Sequence, residues 1–240
     1  MASYLSDEFQ MQQLQPDTTQ DKAMREGVYQ GIRNSLIRGR FAPGEKLVLR
    51  QLAGEFGVSL TPVREALHRL VTEGILTQEH SRSVRVPVLS NARVLELRDI
   101  RVALEGLAAE RAAMAADAAE LKELERLARA VDVARKSGDV AADAQKVAEF
   151  QVALYGMSKM PVLVRHIEML WLQTGPYIPL LHPDYIHRMQ QIRPGWRYAL
   201  CEAIKERNGA KARQFIETDI SEALSYLATL LSAAALIKRA

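Results

Sequence analysis

Apolar residues recur at steps of three and four along most of the chain, and glycine and proline punctuate the runs. From Arg25 to Arg38, Val28, Ile32, Leu36 and Ile37 fall at helical spacing, and Gly39 with Pro43-Gly44 ends the helix and turns the chain. Two short helical patterns follow, Val48 to Phe56 and Pro62 to Thr72, separated by Gly57, Val58, Ser59 and the residues that cap the second. This spacing predicts a tight helix-turn-helix. Ala53 offers a small contact point, Gly57 lets the chain leave the first helix with positive φ, and Val63 supplies an apolar knob on the next. Ser59 or Thr61 caps the second helix, and Pro62 lies in its first turn, where a missing N–H costs nothing. After Glu73-Gly74, two extended runs in ILTQEHSRSVRVPV flank the polar tip Glu79 to Ser83, which predicts a β-hairpin wing.

From Asn91 onward, breaks at Gly138, Pro161, Gly175-Pro176, Pro194-Gly195 and Asn208-Gly209 divide a helical pattern. Helices are predicted over Arg93–Ala115, Ala118–Lys136, Asp139–Ser158, Pro161–Thr174 and Trp196–Arg207. A broken stretch lies around Tyr177–Met189, and a last helix over Ala210–Lys238 has room for an interruption. The expected fold class is mainly α: a winged helix-turn-helix with a small β-hairpin wing over 21–88, then an all-helical antiparallel bundle over 93–232. Residues 1–20 are polar and lack helical periodicity, so a flexible arm is expected there.

Composition narrows the function. The 240 residues are 48% hydrophobic and 25% charged, which describes a globular chain with a sizeable core, and the length suits two unequal domains. One cysteine excludes an internal disulfide and the usual thiolate zinc site, and the first residues carry no apolar signal core, so a cytoplasmic location is expected. Charges or prolines interrupt every apolar run before the roughly 18–20 residues a membrane span needs. Residues 21–90 hold 2 Lys and 9 Arg against 7 acids, a net +4 that the rest of the chain reduces to +3. The excess is modest, but it is arginine-rich, which suits phosphate and base-edge contacts.

The run from Val28 to Val86, centred on GRFAPGEKLVLRQLAGEFGVSLTPVREALHRLVTEGIL, resembles the winged-helix domain of GntR-type bacterial transcription regulators. The remainder resembles the all-helical FCD ligand-binding domain of the FadR-like branch, through LRDIRVALEGLAAERAA, EFQVALYGMSKMPVL and ALCEAIKERNGAKARQFIETDI. The resemblance implies a DNA-binding regulator, a repressor more often than an activator, with a bundle that binds a small effector and dimerises. Two copies would then read a pseudo-palindromic double-stranded operator.

A helix entering the major groove turns its N-terminal amides and first-turn side chains toward the bases, which points to Ser59, Thr61 and Arg64. The Arg64 fork can bond two acceptors of one guanine, worth about 1–3 kcal/mol of discrimination. By the resemblance, Arg50 also reaches DNA and Arg82 at the wing tip reaches the minor groove or a phosphate. Each arginine alone reads more readily as an ordinary solvated surface residue; the three in one helix-turn-helix frame favour DNA contact. Two positions depart from the family. Leu60 stands where arginine is frequent, either touching a thymine methyl or packing, and Ser83 replaces the usual wing glycine.

Many FCD domains hold a divalent metal with four side chains, and the matching positions here are Val147, Gln151, Arg197 and Asp219. Valine cannot ligate, glutamine is a poor zinc ligand and arginine is a permanent cation, so no cofactor and no metal of the usual kind is expected. Arg197 and Asp219 are instead read as an ion pair. Arg101 falls on an otherwise apolar helical face with Leu97, Leu104 and Ala108, and its charge needs a partner. Two readings stand: Glu105 one turn along, or a guanidinium clamp on the carboxylate of an organic-acid effector. The expected effector-binding set is Arg101, Gln151, Arg197 and Asp219.

Other residues carry weaker signals. His68 packs or faces a phosphate, His166 among apolar residues is expected to be a satisfied core histidine, and Cys201 a small buried hydrophobe. His182, Tyr185 and His187 cluster in the broken segment as a lid or as plain loop chemistry, and Trp171 and Trp196 wall the pocket or fill core. No nucleophile and base pairing and no phosphate-binding glycine loop supports an enzyme. A DNA-binding scaffold with a silent cavity is the remaining alternative.

Overall fold

The computed structural model describes residues 19–79, 83–181 and 184–237, with side chains to 233. The arm predicted over 1–20 therefore lies outside the described residues for all but Thr19 and Gln20, and these two are helical. Helix α1 runs Thr19–Ile37, starting six residues before the helical pattern predicted from Arg25. Its first turns are largely exposed, since no core lies beneath them, and only from Val28 do Tyr29, Ile32 and Leu36 turn inward. A short strand β1 (Lys46–Leu47) leads into α2 (Leu49–Phe56) and α3 (Leu60–Thr72), followed by β2 (Thr77–Gln78) and β3 (Val84–Arg85).

The turn between α2 and α3 works through Gly57, whose φ of 65° is costly for a side chain, while the Val58 N–H closes back on the Ala53 carbonyl. Ser59 stands at the N-cap position of α3 in extended conformation, but its side chain makes no capping hydrogen bond. The predicted hairpin is one part of a three-stranded antiparallel sheet in the order β1-β3-β2, with Lys46 opposite Arg85 and Thr77 on the other side of the same residue. Residues 80–82 at its tip, including Arg82, lie outside the described residues. Leu36, Leu52, Val63, Leu67, Leu70 and Ile75 form the core of this domain.

Seven helices follow: α4 (Asn91–Ala115), α5 (Ala118–Ser137), α6 (Val140–Gly156), α7 (Pro161–Thr174), α8 (Asp184–Ile192), α9 (Trp196–Lys205) and α10 (Gly209–Ile237), with a 3-10 helix, Gly175–Leu181, between α7 and α8. Helix α10 continues without an interruption. It lies antiparallel along α4: Asn91 donates to the Ala228 carbonyl at one end, and Arg213 pairs with Glu110 at the other at 3.0 Å. Ala108, Ala109, Ala112 and Ala113 are wholly buried on α4, small side chains that allow a close helix approach. Asp117 and Glu120 form a capping box that starts α5.

The two domains touch. Leu172 of α7 belongs to the core of the N-terminal domain, Arg33 of α1 pairs with Glu168 of α7 at 3.2 Å, and Ile37 packs against both cores. At the seam Gly175 meets the end of α1 so closely that a Cβ would overlap the Leu36 carbonyl oxygen and stand 2.7 Å from Ile37 Cα. No described helix is long and apolar enough to cross a membrane.

Candidate nucleic-acid interface and ligand cavity

The leading end of α3 points into solvent. Ser59, Leu60, Thr61 and Arg64 are exposed, while Pro62, Val63, Ala66 and Leu67 of the same turns are buried. The helix is thus rooted by one face and presents the other, and its first N–H groups have no side-chain cap. Arg64 lines a groove of about 540 Å³ with His68 one turn along, floored by Leu67 and Val71 of α3 and bounded by Gln78 and Val84 of the sheet. Arg50 is exposed in the first turn of α2, next to Leu49, which also lines the groove. Neither Arg50 nor Arg64 makes an ion pair among the described residues. Arg25, Arg40, Arg69 and Arg85 are each held by a glutamate: Glu65, Glu55, Glu26 with Glu73, and Glu79 respectively. Much of the basic excess is therefore spent internally, and the two arginines singled out by the helix-turn-helix frame are among those left available.

The bundle encloses a cavity of about 90 Å³ that brings Arg101, Val147, Gln151, Arg197 and Asp219 together from four helices, with Ile178, Leu181, Ile220 and Leu224 as apolar wall. An adjoining lobe of about 40 Å³ shares Arg101, Val147, Gln151 and Ile178 and reaches Trp171, Thr174 and Ile37. Among the described residues, no group of three or more His, Cys, Asp or Glu is placed to hold a metal.

Arg101 is bonded internally. Its Nε donates to Glu105 Oε1 at 2.6 Å and one terminal nitrogen to Thr174 Oγ1 at 2.9 Å, while Tyr155 donates its hydroxyl to Glu105 Oε2 at 2.8 Å. Glu105 is 0% exposed, so this carboxylate has its needs met by protein. Burial disfavours the Arg101 cation, but Glu105 more than offsets it and holds the guanidinium protonated; burial and the same carboxylate push the Tyr155 hydroxyl well above its ordinary range. Of the two readings for Arg101, the glutamate partner is the one present.

The ion pair expected between Arg197 and Asp219 does not form. Asp219 faces Arg193 at 3.7 Å, and Arg193 also pairs with Glu222, one turn along α10, at 2.7 Å. Arg193 thus spans two carboxylates on one helix face and takes the place expected of Arg197. The Arg197 guanidinium lies over the Trp196 ring at 4.5 Å and near Phe150 at 5.7 Å, and its Nε has no hydrogen-bond partner. Burial and the nearby Arg135 charge push its pKa down to about 10, so it remains a cation at neutral pH in a place that disfavours one. The Tyr185 hydroxyl, on the buried side of α8, is likewise without a partner.

The cavity also contains a pair that the sequence pattern does not single out. Arg135 and Asp143 bond at 3.0 Å with both side chains largely buried. They flank Gly138, whose left-handed conformation reverses the chain between α5 and α6; that turn, with acidic and basic residues on either side, was the available signal. His166 is exposed rather than in core, because Leu163, Ile167 and Trp171 hold the inner face of α7 and turn residue 166 outward. Cys201 is buried, and burial pushes its thiol up to about 12. Trp171 and Trp196 are both buried, and Trp171 also borders the second lobe. His187 is exposed on α8, and His182 lies outside the described residues.

The model of the bacterial regulatory proteins of the gntR family matches residues 24–86, and that of the FCD domain matches residues 96–222. The chain belongs to the gntR family, with a C-terminal FCD domain. It is 33% identical over 151 residues to the HTH-type transcriptional regulator McbR of Escherichia coli, covering 63% of this chain and 68% of that protein. Against the HTH-type transcriptional repressor GlaR of Escherichia coli it is 34% identical over 79 residues, 33% of this chain and 36% of the relative. The solved structure of E. coli McbR/YncC superposes with a TM-score of 0.78 at 27% identity, covering 85% of this chain and 96% of the other. This gntR-family protein is a transcription regulator and not an enzyme, mainly helical with a small antiparallel sheet.

Proposed function

We propose that the protein is a ligand-responsive repressor that binds a pseudo-palindromic operator as a homodimer in the cytoplasm and takes a small organic acid as effector. Ser59, Thr61 and Arg64 at the open end of α3 read the major groove, Arg50 contacts the backbone beside it, and Arg82 is a further DNA contact. His68, one turn beyond Arg64 in the same groove, lies where a phosphate passes. Repression has the support of the GlaR relative's name, and the symmetry of a dimer implies two related half-sites.

The observation that carries the ligand is Arg197: a buried cation lining the cavity with an unbonded Nε, in a cavity also lined by Tyr185, whose hydroxyl is unpartnered. Both are donors, and a carboxylate supplies the acceptors and the opposite charge. The apolar wall of Ile178, Leu181 and Ile220 suits a short hydrocarbon body. The same donor set is unsuited to a divalent metal, because a guanidinium and an aliphatic side chain stand at two of the four positions where related domains ligate. Arg101 and Gln151 then bound the ligand without carrying its charge, and Asp219 orders Arg193.

Thermal melts with acetate, pyruvate, succinate and benzoate test this reading. At least one acid is expected to raise Tm by several degrees, since saturation at 100 times Kd adds about 2.7 kcal/mol. The rise is expected to vanish in Arg197→Met. No response to any acid by a protein that still binds DNA would favour a DNA-binding scaffold with a silent cavity.

A further inference from the structure

One short element touches both the cavity and the DNA-binding domain. The 3-10 helix Gly175–Leu181 presents Ile178 and Leu181 to the cavity. Between them and α7, the buried Tyr177 grips the linker that joins the sheet to α4: its hydroxyl donates to the Pro87 carbonyl at 3.0 Å and accepts from the Leu89 N–H at 2.6 Å. Gly175 abuts Leu36 and Ile37 at the end of α1, and the Pro179 ring lies 2.5 Å from where a Cβ on Gly39 would stand.

Two prolines, Pro176 and Pro179, fix φ within these seven residues, so the segment is stiff. Close-packed interiors pass displacement on rather than absorb it. A group that enters the cavity against Ile178 and Leu181 therefore moves Tyr177 and Gly175 with them. Beyond Gly175, Leu36 shares a core with Leu67 and Leu70 of α3, so the displacement ends at the helix that presents Arg64.

We propose that Gly175–Leu181 is the coupling element by which the state of the cavity sets the position of the DNA-binding domain, with Tyr177 as its latch on the linker. This rests on the reading of the cavity as a regulatory site.

A double-mutant cycle tests it without the natural effector. Ala223→Leu and Val147→Phe each fill the cavity from a different wall, and DNA affinity is measured at fixed salt on a duplex that the native protein has enriched from a random library. Each filling substitution is expected to change affinity at least fivefold, the lower end of the roughly 5–150-fold span of allosteric couplings. In a Tyr177→Phe background the same substitutions are expected to change it less than twofold. Pro179→Ala, at the partly exposed end of the segment, is a second background that leaves the latch intact and is expected to reduce the effect in the same direction; cooperative melts establish that each variant is folded. Equal effects in the native and both altered backgrounds overturn the proposal, as does a native background that ignores both fillings. Either result leaves the carboxylate melts free to support the ligand reading, and a failure of those melts leaves the coupling measured by the cycle unaffected.

Discussion

Arg64→Ala is expected to weaken sequence-specific DNA binding by roughly 30-fold or more while leaving Tm unchanged. The magnitude follows from about 1–3 kcal/mol for a bidentate arginine contact at each of two half-sites. Stability is spared because Arg64 is exposed and makes no ion pair among the described residues, and surface substitutions of that kind stay within about 0.5 kcal/mol. Affinity for an unrelated duplex should fall far less, since much of the charge that drives non-specific binding remains. Anisotropy titrations against the enriched duplex and a scrambled one separate the two effects. An equal loss on both would make Arg64 a backbone contact; no loss on either would remove α3 from the interface.

Arg101→Ala is expected to destabilise the protein by about 3–5 kcal/mol in a urea titration, the range for removing one partner of a buried pair. The reason lies in what remains: Glu105, wholly buried, would keep only the Tyr155 hydroxyl as partner and lose the cation that compensates its charge. The loss of the bond to Thr174 at the end of α7 adds to it. Replacing both partners together, Arg101→Met with Glu105→Leu, should recover much of the loss, because an apolar pair of similar volume leaves no stranded charge. A single Arg101→Ala variant that unfolds like the native protein yet no longer responds to carboxylates would instead make this guanidinium the effector clamp.

The parts of the molecule differ in how openly the sequence declares them. The helix-turn-helix is legible because its signals are local: Gly57 needs its positive φ, Pro62 marks a first turn, and Val63, Leu67 and Leu70 share one face. The Arg101–Glu105 pair is legible for the same reason, four residues apart on one helix. Strand β1 is not, since two residues show no alternation and exist as a strand only through β3, some forty residues away. The cavity is legible in its membership and not in its pairing. Helical spacing and family position bring Gln151, Arg197 and Asp219 to one cavity, but the partner of Asp219 is decided by Arg193, in the connection before α9, where no periodicity says which way a side chain turns. His166 shows the converse limit: apolar neighbours in sequence do not make a buried position when the stripe runs on the other face of the helix. The Tyr177 latch is hidden most deeply, because both its bonds go to linker backbone nearly ninety residues away.

The central claim is that the exposed end of α3 meets the duplex while the bundle does not. Hydrogen exchange of the full chain, free and bound to the enriched duplex, tests it directly. Protection is predicted to concentrate on amides of 59–66 and of the strands beside them, with 118–137 and 196–205 unchanged at their surfaces. Protection confined to the bundle, with 59–66 exchanging as in the free protein, would contradict the account.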